Sequence, residues 1–308
     1  MQIKWIEDLL AINHTKSFSR AAELRFITQS ALSRRIKALE EWVGVKLVDR
    51  STYPVELTAA GRRFCESSSE SVDSLRTLCT ELRQEARMPG KSIQITAGHT
   101  LSMTFLPRWL HQYHQLNEEF NARVVAANVH DAVVALAEDA CDLMIAHHHP
   151  LTPFVLNEEK FESIVLGRES FMPVSAPDGH GRPIFSLPGS ARQQLPYVAY
   201  SETTFMGRIV DMILNTAGRP CHLKRCYEAD MAMMLAKMVA ERYGIAWLPE
   251  SCIHEEIAAG RLVPAGGSQW STQLEIRAYR AIGNSNPTMV ELWESMKSNI
   301  AQEGPPGS

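Results

Sequence analysis

The 308-residue sequence contains no uninterrupted apolar run of membrane-spanning length, and its first residues carry no signal-peptide pattern. A cytoplasmic protein with no membrane partner is therefore expected. Its six cysteines (65, 79, 141, 221, 226 and 252) form no Cys-x-x-Cys pair, which argues against a disulfide scaffold or a zinc ribbon. Gly-x-Ser-x-Gly, P-loop, His-Glu-x-x-His and glycine-rich dinucleotide motifs are all missing. No catalytic residue, cofactor or metal site is expected. An enzyme is thus the weak competing class, and a ligand-binding module without any nucleic-acid function is the other.

Charge is present but unevenly spread. Residues 1–63 hold 11 Lys and Arg against 7 Asp and Glu, a balance of +4 in a chain of net −4, so the rest carries −8. A basic head on an acidic body fits a head that touches phosphate. The excess is modest and identifies nothing by itself.

The stretch "TQSALSRRIKALEE", residues 28–41, is more specific. Thr28 is an N-cap candidate, and Ala31, Leu32, Ile36 and Leu39 recur at helical spacing. Gln29, Ser30, Ser33, Arg34 and Lys37 lie off that stripe. On an isolated helix they would read as a solvated face. Upstream, "SFSRAAELR" offers an N-cap at Ser19 and a short helix with small Ala21 and Ala22, then a turn at Phe26–Ile27. Two helices so joined make a helix-turn-helix, which sets the N-terminal end of its second helix against base edges. Beyond Gly44, two β-like runs (46–48 and 55–57) flank a turn with Pro54 and read as a wing. Arg50 at its start is placed to reach phosphate or the minor groove. Thr58 then caps a long helix to about Arg87, with Phe64, Val72, Leu75, Leu78 and Leu82 as an incomplete stripe. A 60-residue domain cannot bury a helix of about 40 Å, so pairing with a second copy is expected over packing on the chain's own C-terminal half. Pro89 and Gly90 end it as a hinge.

These residues resemble the LysR-type transcriptional regulators. The likeness is carried by Ser17-Phe18-Ser19-Arg20-Ala21-Ala22, Thr28 to Ser33, Ile36, Leu39-Glu40, Gly44, Lys46-Leu47, Arg50 and Leu57-Thr58 with Gly61. Thr15-Lys16 departs from the glycine that the family has before this serine. The resemblance implies a winged helix-turn-helix at 1–63 with Thr28, Gln29, Ser30, Ser33, Arg34, Lys37 and Arg50 on double-stranded promoter DNA. It also implies a linker helix at 58–87 that forms dimers, with tetramers or higher assemblies beyond them.

Past the hinge, strands alternate with helices from Ser92 onward, the sign of parallel sheets flanked by helices. One helix is expected from about Leu101 to His114, and separate strands at 163–166 and 169–175. The interrupted first unit, resumed at the end, suggests two α/β subdomains. This resembles the effector half of LysR-type regulators, itself of periplasmic-binding-protein type. By that resemblance the effector domain is 91–302, with subdomain I at 91–164 and 268–302 and subdomain II at 165–267. The final "EGPPGS" has no pattern.

A cleft between such subdomains would lie at strand carboxyl ends. Its lips are "AGHTLSM" (97–103) and "YSETTFMG" (200–207). Thr100 and Ser102 on one side, and Ser201, Thr203 and Thr204 on the other, precede or open helices that favour a small anion. Simple capping would use one hydroxyl per helix. Thirteen methionines are unusual, and Met231, Met233, Met234 and Met238 read as core filling. Met206, and second Met103, stand at the lips in the first turn of a helix, where oxidation to a sulfoxide would alter the pocket. The chain is also similar to the hypochlorite-responsive LysR-type regulators of enteric bacteria, which implies methionine oxidation by a small oxidant as the signal. A reversibly bound small anionic metabolite is one alternative. The other is a Cys221/Cys226 thiol switch, with Arg219, Lys224 and Arg225 nearby to favour thiolate, although Cys226 reads as a buried strand residue. "HHHP" at 147–150 reads as a solvated loop.

Overall fold

The computed structural model describes residues 3–25, 27–50, 54–85, 91–116, 120–154, 156–202 and 204–303. Phe26, the hinge residues Pro89 and Gly90, Thr203, and residues 304–308 lie outside them, as does the side chain of Leu82. The chain divides into two units, Met1–Arg87 and Met88–Ser308.

In the first unit, α1 (Ile3–Thr15), α2 (Phe18–Leu24) and α3 (Gln29–Val43) pack around Leu9, Ile12, Ala21, Ala22, Leu32, Ile36 and Leu39. Small Ala21 and Ala22 are buried, which lets α2 approach its neighbours closely. The cap of α2 is Ser17, not Ser19: its hydroxyl accepts from Arg20 N at 3.4 Å. Thr28 caps α3 by accepting from Ala31 N, and Gly44 closes it in the left-handed region at φ +84°. β1 (Val48–Asp49) and β2 (Glu56–Leu57) pair antiparallel, a shorter wing than the sequence suggests. Buried Glu40 fixes this wing to α3 by accepting from Leu47 N and Val48 N. Thr58 caps α4 (Ala59–Glu85), accepting from Gly61 N at 3.0 Å. On α4, Val72 is buried, whereas Leu75 and Leu78 are 44 % and 47 % exposed.

The fully buried Asp8 binds these helices together. Its carboxylate accepts from Arg25 Nε at 3.0 Å and pairs with Arg35 Nη1 at 3.4 Å, beside a Glu7–Arg25 pair. Nothing local in the sequence announces this contact. Asp8→Ala leaves two guanidinium groups without their shared carboxylate. It should destabilise the unit by about 3 kcal/mol, read as faster amide exchange throughout α1–α3. Unchanged protection would show that the pair contributes little.

The second unit is built on a seven-stranded sheet in the order β10-β6-β11-β5-β3-β4, with β9 also on β6. Its members are β3 (Ser92–Gly98), β4 (Asn121–Ala127), β5 (Leu143–His148), β6 (Phe161–Ser175), β9 (Ala246–Pro249), β10 (Val263–Pro264) and β11 (Thr272–Ala281). A separate parallel pair joins β7 (Leu195–Tyr200) and β8 (Leu223–Ala229). The large sheet is mixed, not parallel: β3 runs parallel to β4 and β5, but β11 is antiparallel to β5 and β6. The two strands expected at 163–175 are one, β6, with a register shift opposite Ile276/Arg277 where Gly167 interrupts the apolar pattern. The single helix expected at 101–114 is two, α5 (His99–Thr104) and α6 (Leu106–Leu116). Pro107, which lacks an N–H, fits the first turn of the new helix. Then come α7 (Val129–Ala137), α8 (Phe205–Thr216), α9 (Ala232–Ala240), the unanticipated α10 (Glu250–Ala258) and α11 (Pro287–Glu303). Two cores form. One gathers Ile93, Ile95, Trp109, Ile276, Leu292 and Trp293, and the other Phe171, Val198, Ile209, Leu235, Trp247 and Trp270. β6 and β11 run through both.

Candidate functional site

In the first unit the polar residues of α3 do stand together. Gln29, Ser30 and Arg34 are exposed, at the helix end that the motif presents to base edges. Ser30 Oγ lies 3.1 Å from Thr28 Oγ1, and Ser19 Oγ lies 3.5 Å from Gln29 Oε1. Arg34 makes no ion pair with the described residues, so its guanidinium donors are uncommitted among them. Lys37 pairs with Glu41 at 3.8 Å, an exposed i,i+4 contact worth little. Arg50 leaves the wing toward α3, its Nη1 donating to Ser33 Oγ at 3.2 Å.

The second unit places the first lip differently from its sequence reading. α5 begins at His99 after an N-cap, Gly98, that has no side chain to give. Thr100 and Ser102 therefore lie within the helix, not before it. Ser102 Oγ donates back toward the carbonyls of Ala97 and Gly98 at 3.3 and 3.0 Å. Met103 is in the last turn and 58 % exposed, not in a first turn. Thr100 faces the thiol of buried Cys252, whose pKa burial pushes up to about 12.

The second lip matches its reading more closely. Thr204 caps α8, accepting from Gly207 N at 3.0 Å and donating to Ser201 O at 2.7 Å. The turn is tight enough that a Cβ on Gly207 would stand 2.5 Å from Ser201 O. Met206, in the first turn of α8, is half-buried and packs on the core that includes Val198 and Ile209. Val129, at the start of α7, packs on the same core.

A partly buried polar chain joins α5 to α10, β5 and β6. Glu169 on β6 meets His147 Nε2 through Oε1 at 2.5 Å and accepts from Ser251 N through Oε2 at 2.9 Å. The Ser251 hydroxyl is 3.1 Å from Thr104 Oγ1 on α5. Burial pushes the Glu169 carboxyl up, but His147 and Ser251 together hold it below its ordinary value. Close by, the Tyr200 hydroxyl is buried with no hydrogen-bond partner among the described residues. Sequence reading misses this chain because its members lie far apart. The carboxylate and histidine meet only because β5 and β6 both flank β11.

The histidine run is therefore not a solvated loop. His147 and His149 are buried, and His149 Nε2 bonds Thr272 Oγ1 at 3.0 Å while Nδ1 accepts from Leu151 N. His148 points to Glu275 on the opposite face of the sheet. Strand alternation sends neighbours to opposite faces, and among the described residues no cluster suits a metal ion.

The cysteines are also corrected. Cys226 is exposed, not buried, because it is the extra residue where β8 shifts register against β7. Partial desolvation of the sulfur still raises its thiol pKa, and burial pushes that of Cys221 up to about 11. Two of the three expected cations have other partners, and the pull of Arg219 on the Cys221 thiol is outweighed by burial. Arg219 lies over the Trp270 ring at 5.5 Å, and Arg225 pairs with Glu202 and Glu228. Neither thiol is poised as a thiolate at neutral pH. The methionine group on α9 is mixed: Met231 is its N-cap, Met233 and Met238 pack on the core, and Met234 is 46 % exposed.

Comparison with known proteins agrees with both units. Residues 3–62 match the bacterial regulatory helix-turn-helix protein, lysR family, and residues 86–301 match the LysR substrate binding domain. The HTH-type transcriptional regulator YjiE of Escherichia coli is 31 % identical over 297 residues, covering 96 % of this chain and 94 % of that one. A crystal structure of Vibrio fischeri DarR in complex with DNA is 31 % identical with a TM-score of 0.59, over 96 % and 98 % of the chains. The full-length structure of HypT from Salmonella typhimurium, a hypochlorite-specific LysR-type regulator, is 29 % identical with a TM-score of 0.60, over 98 % and 99 %. No helix among the described residues is long and apolar enough to cross a membrane.

Proposed function

Because the chain belongs to the LysR family of DNA-binding transcriptional regulators and is not an enzyme, we propose that it is a promoter-binding regulator switched by hypochlorite through oxidation of Met206. The position of Met206 carries this reading. Its thioether stands in the first turn of α8, beside the Ser201–Thr204 turn, and is partly covered by the core. Hypochlorous acid would transfer its oxygen to the sulfur, leaving chloride and a proton. The sulfoxide is polar and fits poorly against an apolar core. It would displace α8 from that core, and this change in the second unit would be the signal that alters promoter binding. HypT, described as hypochlorite-specific, lends support at 29 % identity. The more exposed Met103 is the weaker candidate, since an oxygen there meets water and displaces nothing. Thr100, Ser102, Ser201 and Thr204 remain the polar lining in this reading, and Thr203 lies outside the described residues. A reversibly bound small anion is the second reading, favoured by the buried Tyr200 hydroxyl, a donor with no partner among the described residues. The test is whether Met206→Ile protein keeps its fold yet loses its response to hypochlorite.

For DNA contact we assign Gln29, Ser30 and Arg34 to base edges, Arg50 to the backbone, and Thr28, Ser33 and Lys37 to supporting positions. Self-association is assigned to α4. Leu75 and Leu78 are three residues apart on one helical face and exposed in the single chain. Replacing both with Glu should give monomers in sedimentation at concentrations where the natural sequence forms oligomers. An unchanged assembly would rule out this interface.

A further inference from the structure

We propose that Phe18 and Ser33 are positioning residues that hold Arg50 in its DNA-contacting pose before DNA arrives; this rests on reading Arg50 as a backbone contact. The guanidinium carbon of Arg50 lies 5.2 Å from the centroid of the Phe18 ring. Its Nη1 donates to Ser33 Oγ at 3.2 Å. One cation thus ties the wing to the first residue of α2 and to the second turn of α3. Phe18 is half-buried against the helical core, so its ring is a fixed shelf rather than a mobile side chain. Buried Glu40 anchors the strand from which Arg50 emerges, through two backbone N–H groups.

The physical consequence is preorganisation. A free arginine on an exposed wing loses rotamer freedom when it clamps a phosphate. Here much of that freedom is already lost in the unbound protein. The ring face attracts the cation without neutralising it, so the charge stays available to DNA. The Ser33 hydroxyl accepts one Arg50 donor and leaves the rest of the fork free. Ser33 thereby acts through Arg50, and the half-buried setting of Ser33 suits this role better than direct base reading.

The test is a double-mutant cycle on the full-length protein with mixed-sequence duplex DNA as the probe, read as affinity against salt concentration. Arg50→Ala should weaken binding and shrink the salt slope by about 0.9 for each phosphate that is no longer neutralised. Phe18→Leu should weaken binding about two- to five-fold per head, the range of an exposed cation–π contact. Phe18→Tyr, which keeps the ring, should restore it. The Phe18→Leu, Arg50→Ala double variant should bind no worse than Arg50→Ala alone. If Phe18→Leu unfolds, Ser33→Ala takes its place in the cycle with the same expectation. Additive losses, or full affinity in both Phe18→Leu and Ser33→Ala, would overturn the positioning role while leaving Arg50 as a contact. Full affinity and an unchanged slope in Arg50→Ala would overturn the contact itself and the proposal with it.

Discussion

Arg34→Ala should lower affinity for the preferred operator by about five- to 150-fold per half-site, the worth of about 1–3 kcal/mol for a bidentate base contact. Two geometric facts set this expectation. Arg34 is exposed on the second turn of α3, and it has no carboxylate among the described residues to compete for its donors. Its neighbour Arg35 differs: Arg35 reaches back to buried Asp8 and belongs to the core of the unit. The same substitution at the two adjacent positions should therefore separate cleanly. Arg34→Ala loses sequence discrimination with its fold intact, whereas Arg35→Ala loses stability. A dimer meets two half-sites, so the loss at Arg34 compounds across the operator. The measurement is a titration against the best site selected from random duplexes, beside a scrambled duplex. If both duplexes weaken equally, Arg34 touches phosphate and not a base.

Met206→Ile should abolish the hypochlorite response while leaving unoxidised promoter binding near its natural level. Isoleucine keeps the apolar volume against the second core but has no sulfur to oxidise. Exposure alone does not choose the sensor. Met103 and Met234 are more open and should oxidise readily, yet their sulfoxides would be solvated in place. A sensor must be open enough to react and packed enough for the product to disturb its neighbours. On the proposed reading Met206 meets both conditions, beside a turn fixed by Thr204 and tight-fitting Gly207. Cys221→Ser and Cys226→Ser should keep the response, because both thiols are held protonated. A response that survives Met206→Ile and vanishes in the cysteine variants would establish the thiol switch instead.

What is legible in the sequence is local. Thr28, Gly44 and Thr58 declare helix ends through hydrogen bonds spanning three or four residues, and each acts as its position suggests. The order of winged module, long helix and α/β half is likewise readable, because each depends on periodicity within a short window. What escapes depends on distance along the chain. Asp8 meets Arg25 and Arg35 only after three helices pack. His147, Glu169, Ser251 and Thr104 meet only across two strands and two helices. The break at Phe105 is hidden because Leu101, Phe105 and Trp109 keep helical spacing across it, with backbone bonds from 105 to 101 and from 109 to 105. The exposed setting of Cys226 follows from one register shift, which apolar patterning does not encode.

The most direct test treats the full-length protein with graded hypochlorite and measures two quantities on each sample: peptide-resolved methionine oxidation and affinity for the selected operator. The sulfoxide fraction at Met206 should track the change in affinity point by point. Oxidation of Met103 and Met234 should run ahead of that change, and buried Met144, Met289 and Met296 should stay reduced until the fold is lost. An affinity change that is complete while Met206 remains a thioether would contradict the account.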